Sequence, residues 1–345
     1  MATTSSKGLL LKTILVGIVL LGLYLSYKIS FGSNVKISAN TYYFYVPEKS
    51  SPSVVADSLK KRGFIKSRWS FKIMTSVKGF ESINPGMYEL KNGWNNLDLI
   101  RHFKEHQPKP TIFITLPALQ SRNAMISSIC KGTNIHPDDV WKLLNDKKFT
   151  KELGGFSTES VFSIFIPRNY RIYKNSTAND LLQRLNQEYL LFWNQERLEQ
   201  AQDMGLKPYE VIILSSIVYS ETKSEEEMPV IAGVYLNRIR INMRLESDPT
   251  LIYAAKKYGT KRVLNKDKNI LSPYNTYKNK GLPPGPIYIV PSWVVDKVLE
   301  YDGHDYLYFC ANDDLSGEHI FAETYEEHKE NAQRYHEKLN EKNIY

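Results

Sequence analysis

The most apolar stretch of the chain lies at its start. Residues 13–27 (TILVGIVLLGLYLSY) carry no charge, and extending back to Gly8 interrupts the run only at Lys12. That supplies the roughly 20 residues a bilayer core requires, and a lysine near the edge can snorkel toward the headgroups. Past this stretch the pattern changes to short alternating and helical runs. Tyr42, Tyr43, Phe44, Tyr45 and Val46 form a β-type run ended by a turn at 47–51. Val54, Val55 and Leu59 then recur at helical spacing until Gly63 stops them. Residues 85–90 read as a turn into a second strand. Asn95 or Asn96 then caps a helix carrying Leu97, Ile100 and Phe103. A short linker over 28–40 leads into this strand–helix–strand–helix unit.

Farther along, 111–116 (TIFITL) is a strand ending at Pro117, and 125–130 is helical. His136-Pro137-Asp138-Asp139 opens another helix through Leu144 with an acidic first turn. Residues 165–170 read as a buried strand or turn, so 108–205 is expected to be a mixed α/β connector. Lys207-Pro208-Tyr209-Glu210 then starts a helix whose VIILSSIV run is apolar nearly all round, and so buried. Glu221 closes it, i+3 from Val218, i+4 from Ile217 and i+7 from Leu214. A carboxyl on that apolar face is costly to ionise, which raises its pKa and suits a general acid near neutral pH. Periodicity leaves open a Glu that is merely paired with Arg238, Arg240 or Arg244.

A helix over about 225–243 follows, with Val230, Val234 and Ile241 on one stripe and the amide of Asn237 turned inward along it. Ser247 or Asp248 then serves as an N-cap, with Pro249 at the first position of a helix reaching Tyr258. Capping alone could explain Asp248. Tyr274 and Tyr277, with Asn275 and Thr276 between them, offer ring faces and hydrogen bonds suited to a sugar, although core tyrosines fit the same spacing.

The 345 residues allow two or three domains, and 42% hydrophobic with 24% charged residues is ordinary for a globular protein. The net charge of +8 suits nucleic acid, an anionic membrane or an acidic polymer. No zinc-finger spacing, RNP-like motif or compact Lys/Arg block is present, so nucleic acid is not an expected partner. His102 and His106 stand at i, i+4, but no third ligand is near, and a solvated helix face is expected there. Cys130 and Cys310 are read as unpaired thiols. The apolar N-terminus is read as a retained anchor rather than a cleaved signal, because no Ala-x-Ala-like site follows it. Lys7 and Lys12 on one side are balanced by Lys28 and Lys36 on the other, so charge does not orient it.

Ordered blocks make the reading specific. Ser216-Ile217-Val218-x-x-Glu221-Thr222, residues 232–238 (AGVYLNR) and residues 243–250 (MRLESDPT) occur in that order. Residues 274–277 (YNTY) and 281–285 (GLPPG) continue the series, with Phe321, Thr324, His328 and Asn331 at the end. The series resembles the MltG (YceG-like) endolytic murein transglycosylase family, and residues 46–48 (VPE) and 85–88 (PGMY) fit it upstream. The resemblance implies an α+β protein: a cytoplasmic tail at 1–12, a transmembrane anchor at 13–32, a LysM-like module at 33–107, the connector at 108–205 and a catalytic domain at 206–345. It implies a single-pass protein of the bacterial plasma membrane, with the catalytic domain outside the cytoplasm. Its substrate would be peptidoglycan glycan strands, cut between N-acetylmuramic acid and N-acetylglucosamine, and cell-wall synthases would be its neighbours. Glu221 matches the catalytic position. Asn237, Arg244, Glu246, Asp248, Tyr274, Asn275 and Tyr277 match substrate-binding positions, and no cofactor or metal is implied. Departures exist: Tyr219 replaces a frequent second Glu, Glu246 a usual Gln, and Arg168-Asn169 an Asn/Asp-Thr pair. The alternatives are a hydrolytic muramidase using Glu246 or Asp248 as a second carboxylate, and a wall-binding scaffold without activity.

Overall fold

The computed structural model describes residues 3–37, 41–106, 109–260 and 265–342. The chain divides into two compact units, residues 1–111 and 112–345.

In the first unit, α1 (Thr3–Phe31) contains the 20-residue stretch Lys12–Phe31, long and apolar enough to cross a bilayer and not buried anywhere along it. Strand β1 (Thr41–Val46) buries alternate residues Tyr42, Phe44 and Val46. Helices α2 (Pro52–Lys61) and α3 (Arg68–Val77) follow, then β2 (Gly86–Lys91), which pairs antiparallel with β1, Phe44 opposite Tyr88. Helix α4 (Asn96–Glu105) closes the unit behind a capping box of Asn95 and Asp98. No helix was expected at α3. Ser67 caps it, and Phe71, Met74 and Thr75 form its buried face. The expected linker is also partly structured, because Ser33 bridges Asn95 and Val35 bridges Ile65, while residues 38–40 of it lie outside the described residues. Asn96 ties the end of α1 in place by donating to the Ile29 carbonyl at 2.7 Å.

His102 and His106 are not on a solvated face. Both are half-buried among rings, with His102 centred 5.0 Å from Trp94 and 5.9 Å from Tyr88. Burial, then the neighbouring His106, pushes His102 down to about 4, so it is neutral at physiological pH. Leu99 rather than Leu97 joins Ile100 and Phe103 on the buried face of α4.

In the second unit, β3 (Thr111–Leu116) pairs with β4 (Arg168–Tyr173). Between them lie α5 (Arg122–Cys130), α6 (Pro137–Leu144) and α7 (Lys147–Gly154), the last stopped by Gly155 in the left-handed region. Helices α8 (Ala178–Phe192) and α9 (Gln195–Asp203) lead to α10 (Pro208–Glu221), α11 (Glu227–Arg240) and α12 (Asp248–Ala254). Helix α13 (Ser292–Leu299) precedes the hairpin β5 (Tyr308–Ala311) and β6 (His319–Ala322), and α14 (Tyr325–Glu341) ends the unit. One hydrophobic core runs through it, joining Met125, Phe162 and Leu181 to Leu214, Ile217 and Val294. The segment expected as a separate connector therefore shares a core with α10 and α11. Ile241, expected on the buried stripe of α11, lies beyond that helix and is exposed. Helix α12 stops at Ala254, short of Tyr258, where Lys256 takes a left-handed conformation. Both cysteines are free, and burial lifts the Cys130 thiol to about 11.

Candidate active site

Helix α10 is buried from Val211 to Val218 because its sequence offers no polar stripe to solvent. It ends at Glu221, and the next residue, Thr222, turns out of the helix. Thr222 donates to Glu227 Oε2 at 2.7 Å. Glu227 also accepts from the His319 backbone and from the His319 ring at 3.1 Å. Burial alone would raise the Glu227 carboxyl, but these donors outweigh it and hold the group below its ordinary value. The turn carrying Glu221 is thereby pinned to α11 and to β6.

Glu221 is held by two hydroxyls. Tyr235 of α11 and Ser247 each donate to Oε1 at 2.6 Å, leaving Oε2 without a hydrogen-bond partner among the described residues. Burial raises the Glu221 pKa most; the Ser247 and Tyr235 hydroxyls pull it back, and the Asp248 charge pushes it up again. The net direction is upward. Burial and the adjacent Glu221 lift Tyr235 well above the usual tyrosine range, so its hydroxyl keeps the proton that it donates.

Glu221 opens into a cavity of about 280 Å³ that it shares with Tyr235, Arg238, Glu246, Asp248 and Tyr277. Tyr277 donates to Asp248 Oδ1 at 2.6 Å. Glu246 sits at φ 51, a left-handed backbone that a non-glycine residue adopts only when its surroundings impose it. Those surroundings are the loop around Thr276. The Glu246 amide donates to the Thr276 carbonyl at 3.3 Å, and the Ser247 amide donates to its hydroxyl at 3.0 Å.

Of the residues singled out in the sequence, Glu221, Glu246, Asp248 and Tyr277 meet at this cavity. The other four expected substrate-binding residues, Asn237, Arg244, Tyr274 and Asn275, do not line it. Asn237 donates to the carbonyls of His304 (2.7 Å) and Tyr306 (3.1 Å), anchoring a loop to α11. Asn275 is fully buried and staples its own loop through the Lys268 and Ile270 carbonyls. Arg244 is exposed. Tyr274 bonds Glu159 and Arg122 at a different cavity.

Two partners of Glu221 have no signal as such in the sequence: Tyr235, which lines the cavity, and Ser247, which reaches the carboxyl from the start of α12. Arg238 does not pair with the carboxyl. Its guanidinium is spent on the carbonyls of Leu307 (2.6 Å) and Leu245 (2.7 Å). Its neighbour His328 also lines the cavity, and burial and then the Arg238 charge hold that ring below its ordinary pKa. Among the described residues no group of three His, Cys, Asp or Glu side chains is arranged to hold a metal.

The YceG-like family matches residues 44–334, a span that includes every residue of this cavity. The chain belongs to the YceG-like family. Relatives bear the name endolytic murein transglycosylase. The one from Bacillus subtilis (strain 168) is 30% identical over 89% of this chain and 88% of its own length. The one from Streptococcus pneumoniae (serotype 2, strain D39) is 25% identical over 92% of this chain but 63% of its own length, so the chain spans under two thirds of that relative. A crystal structure of a YceG-like protein from Listeria monocytogenes aligns with TM-score 0.53 at 24% identity, covering 84% of this chain and 98% of that one. That likeness bears on the YceG-like fold alone.

Proposed function

We propose that the chain is a membrane-anchored lytic transglycosylase that cuts peptidoglycan glycan strands internally, with Glu221 as its one acid–base group. The observation that carries this reading is the carboxyl itself: raised in pKa, facing a polar cavity, with both hydroxyl donors on Oε1. A proton on Oε2 is then the one available to a substrate. Glu221 gives it to the oxygen linking N-acetylmuramic acid to N-acetylglucosamine, and that C1–O bond breaks as oxocarbenium character develops at the muramic C1. The carboxylate left behind is stabilised by Ser247 and Tyr235, hydrogen bonds that strengthen when their acceptor is charged. It then takes the proton of the C6 hydroxyl of the same sugar, whose oxygen closes on C1 to leave a 1,6-anhydro end. The nucleophile is tethered, so neither an activated water nor a protein nucleophile is needed. One carboxyl is enough, where ordinary glycosidases use two.

Asp248 and Glu246 keep the hydrolytic alternative specific, since either could activate a water. Asp248, however, already accepts the Tyr277 hydroxyl. The mass of the new glycan ends separates the two reactions, because an anhydro end is one water lighter than a reducing end. The stretch Lys12–Phe31 is proposed as a single membrane span holding the catalytic unit outside the cytoplasm, beside the synthases that supply its substrate. The β–α–α–β–α unit that follows is proposed as a LysM-like wall-binding module.

A further inference from the structure

A second cavity, of about 370 Å³, lies in the same unit as Glu221 and falls in the size range of small-molecule sites, about 300–1,000 Å³. We infer that it is a second sugar subsite for the strand cleaved at Glu221, taking a neutral N-acetylated ring some residues from the cut bond. The inference rests on the reading of Glu221 as a glycan-cleaving acid.

The walls have the chemistry of a sugar site. Trp141 and Tyr258 supply ring faces for the C–H surface of a pyranose above the buried Tyr253, and Arg122, Asn123 and Glu159 supply donors and acceptors for its hydroxyl and acetamido edge. The polar groups are fixed in advance. The Arg122 guanidinium lies 3.8 Å from the Phe162 ring centroid and donates to Glu159 Oε2 at 2.7 Å and to the Tyr274 hydroxyl at 2.6 Å. Tyr274 in turn donates to Glu159 at 2.5 Å. Arg122 and Glu159 cancel in charge, and Lys256 adds one exposed cation at the edge. A hydroxyl-rich neutral ligand suits this balance better than an anion, which Glu159 would repel.

Two separate elements join this cavity to the catalytic one. Helix α12 begins at Asp248, on the Glu221 cavity, and ends with Tyr253 and Ala254, on this one. At 1.5 Å and about 100° per residue the two positions are about 8–9 Å apart along the helix and on different sides of it, so a strand joining them passes round α12. The loop after it brings Tyr274 to this cavity and Tyr277 to the other, and three residues of chain span at most about 11 Å. Those separations are within reach of a few linked sugar rings.

The test uses the full chain carrying Glu221→Gln, so that strands are bound and not consumed. Peptide-free glycan strands are titrated against it alone, and with Tyr258→Ala or Asn123→Ala added. Both added positions are exposed, so neither change removes core packing. The expected result is binding about tenfold weaker for Tyr258→Ala, the scale of one lost ring contact. A glycan-induced change in tryptophan fluorescence should also disappear in Trp141→Phe. Unchanged affinity in Tyr258→Ala and Asn123→Ala, together with an unchanged fluorescence response in Trp141→Phe, would overturn the subsite. If Glu221→Gln alone still cleaves strands, the catalytic reading has failed instead, and that is seen before any subsite variant is made.

Discussion

The Ser247 hydroxyl stands 2.6 Å from Glu221 Oε1 and makes no bond to the helix it precedes. A serine in that position ordinarily accepts from the first-turn backbone, a bond worth about 0.5–2 kcal/mol. Here the cap is forgone and the hydroxyl donates to a carboxyl. Tyr235 does the same from α11, so two elements hold one oxygen of Glu221 and leave the other without a hydrogen-bond partner among the described residues.

Ser247→Ala and Tyr235→Phe each remove a donor to the Glu221 carboxylate that the proposed reaction forms. A hydrogen bond to a charged group contributes about 1.5–3 kcal/mol, so kcat should fall roughly 10- to 150-fold in either variant. Both hydroxyls pull the Glu221 pKa down, so losing one should also move the alkaline limb of the pH–rate profile upward. A rate loss with an unmoved profile would show that the hydroxyls do not act on Glu221.

Glu221→Gln should stabilise the fold at neutral pH. The native carboxyl holds its proton more tightly than the unfolded one, whose pKa is about 4.3, so native stability falls as pH rises from there through the raised native value. The amide has no charge to develop and keeps an oxygen for the Tyr235 and Ser247 hydroxyls. Urea midpoints measured across that range should separate in favour of the variant as pH rises and then run parallel.

Glu227 has the opposite sign. Its native carboxyl lies below the ordinary value, so its contribution is complete well above about pH 4.3 and is lost as pH falls through the lower native value. Glu227→Ala leaves Thr222 and His319 without their acceptor and should cost about 1–3 kcal/mol at pH 7. Denaturant midpoints of wild type and variant should converge in acid.

Gly233 and Asn237 both hold the loop around residues 302–306 against α11. A Cβ on Gly233 would lie 2.6 Å from His304 Nε2 and 2.7 Å from the Asp302 carbonyl, so Gly233→Ala should cost about 1–3 kcal/mol. Asn237→Ala should likewise lower Tm while leaving KM for glycan strands unchanged, because its amide serves two loop carbonyls and not the cavity. A raised KM with an unaltered Tm would restore Asn237 to the substrate site.

The parts of the fold legible in the sequence were those set by local pattern. Unbroken apolar character marked α1 and α10, alternation marked β1, and the position of Glu221 against Leu214, Ile217 and Val218 placed a carboxyl on a buried face. What escaped depends on contacts remote in sequence. Arg238 was a candidate ion-pair partner by proximity, yet it is committed to a carbonyl 69 residues away. Ser247 fitted capping rules that the folded chain does not follow. The i, i+3 spacing of Tyr274 and Tyr277 suits one platform, but the turn between them sends each to a different cavity. Helix α3 leaves little trace in the sequence because its apolar face is short and opens on a single serine cap.

Digestion of purified glycan strands by wild type and by Glu221→Gln, with the product ends weighed by mass spectrometry, bears most directly on a proton held ready at residue 221. Wild type should yield new ends one water lighter than reducing ends, and the variant should yield none while remaining folded. Reducing ends from the wild type, or undiminished cleavage by the variant, would contradict it.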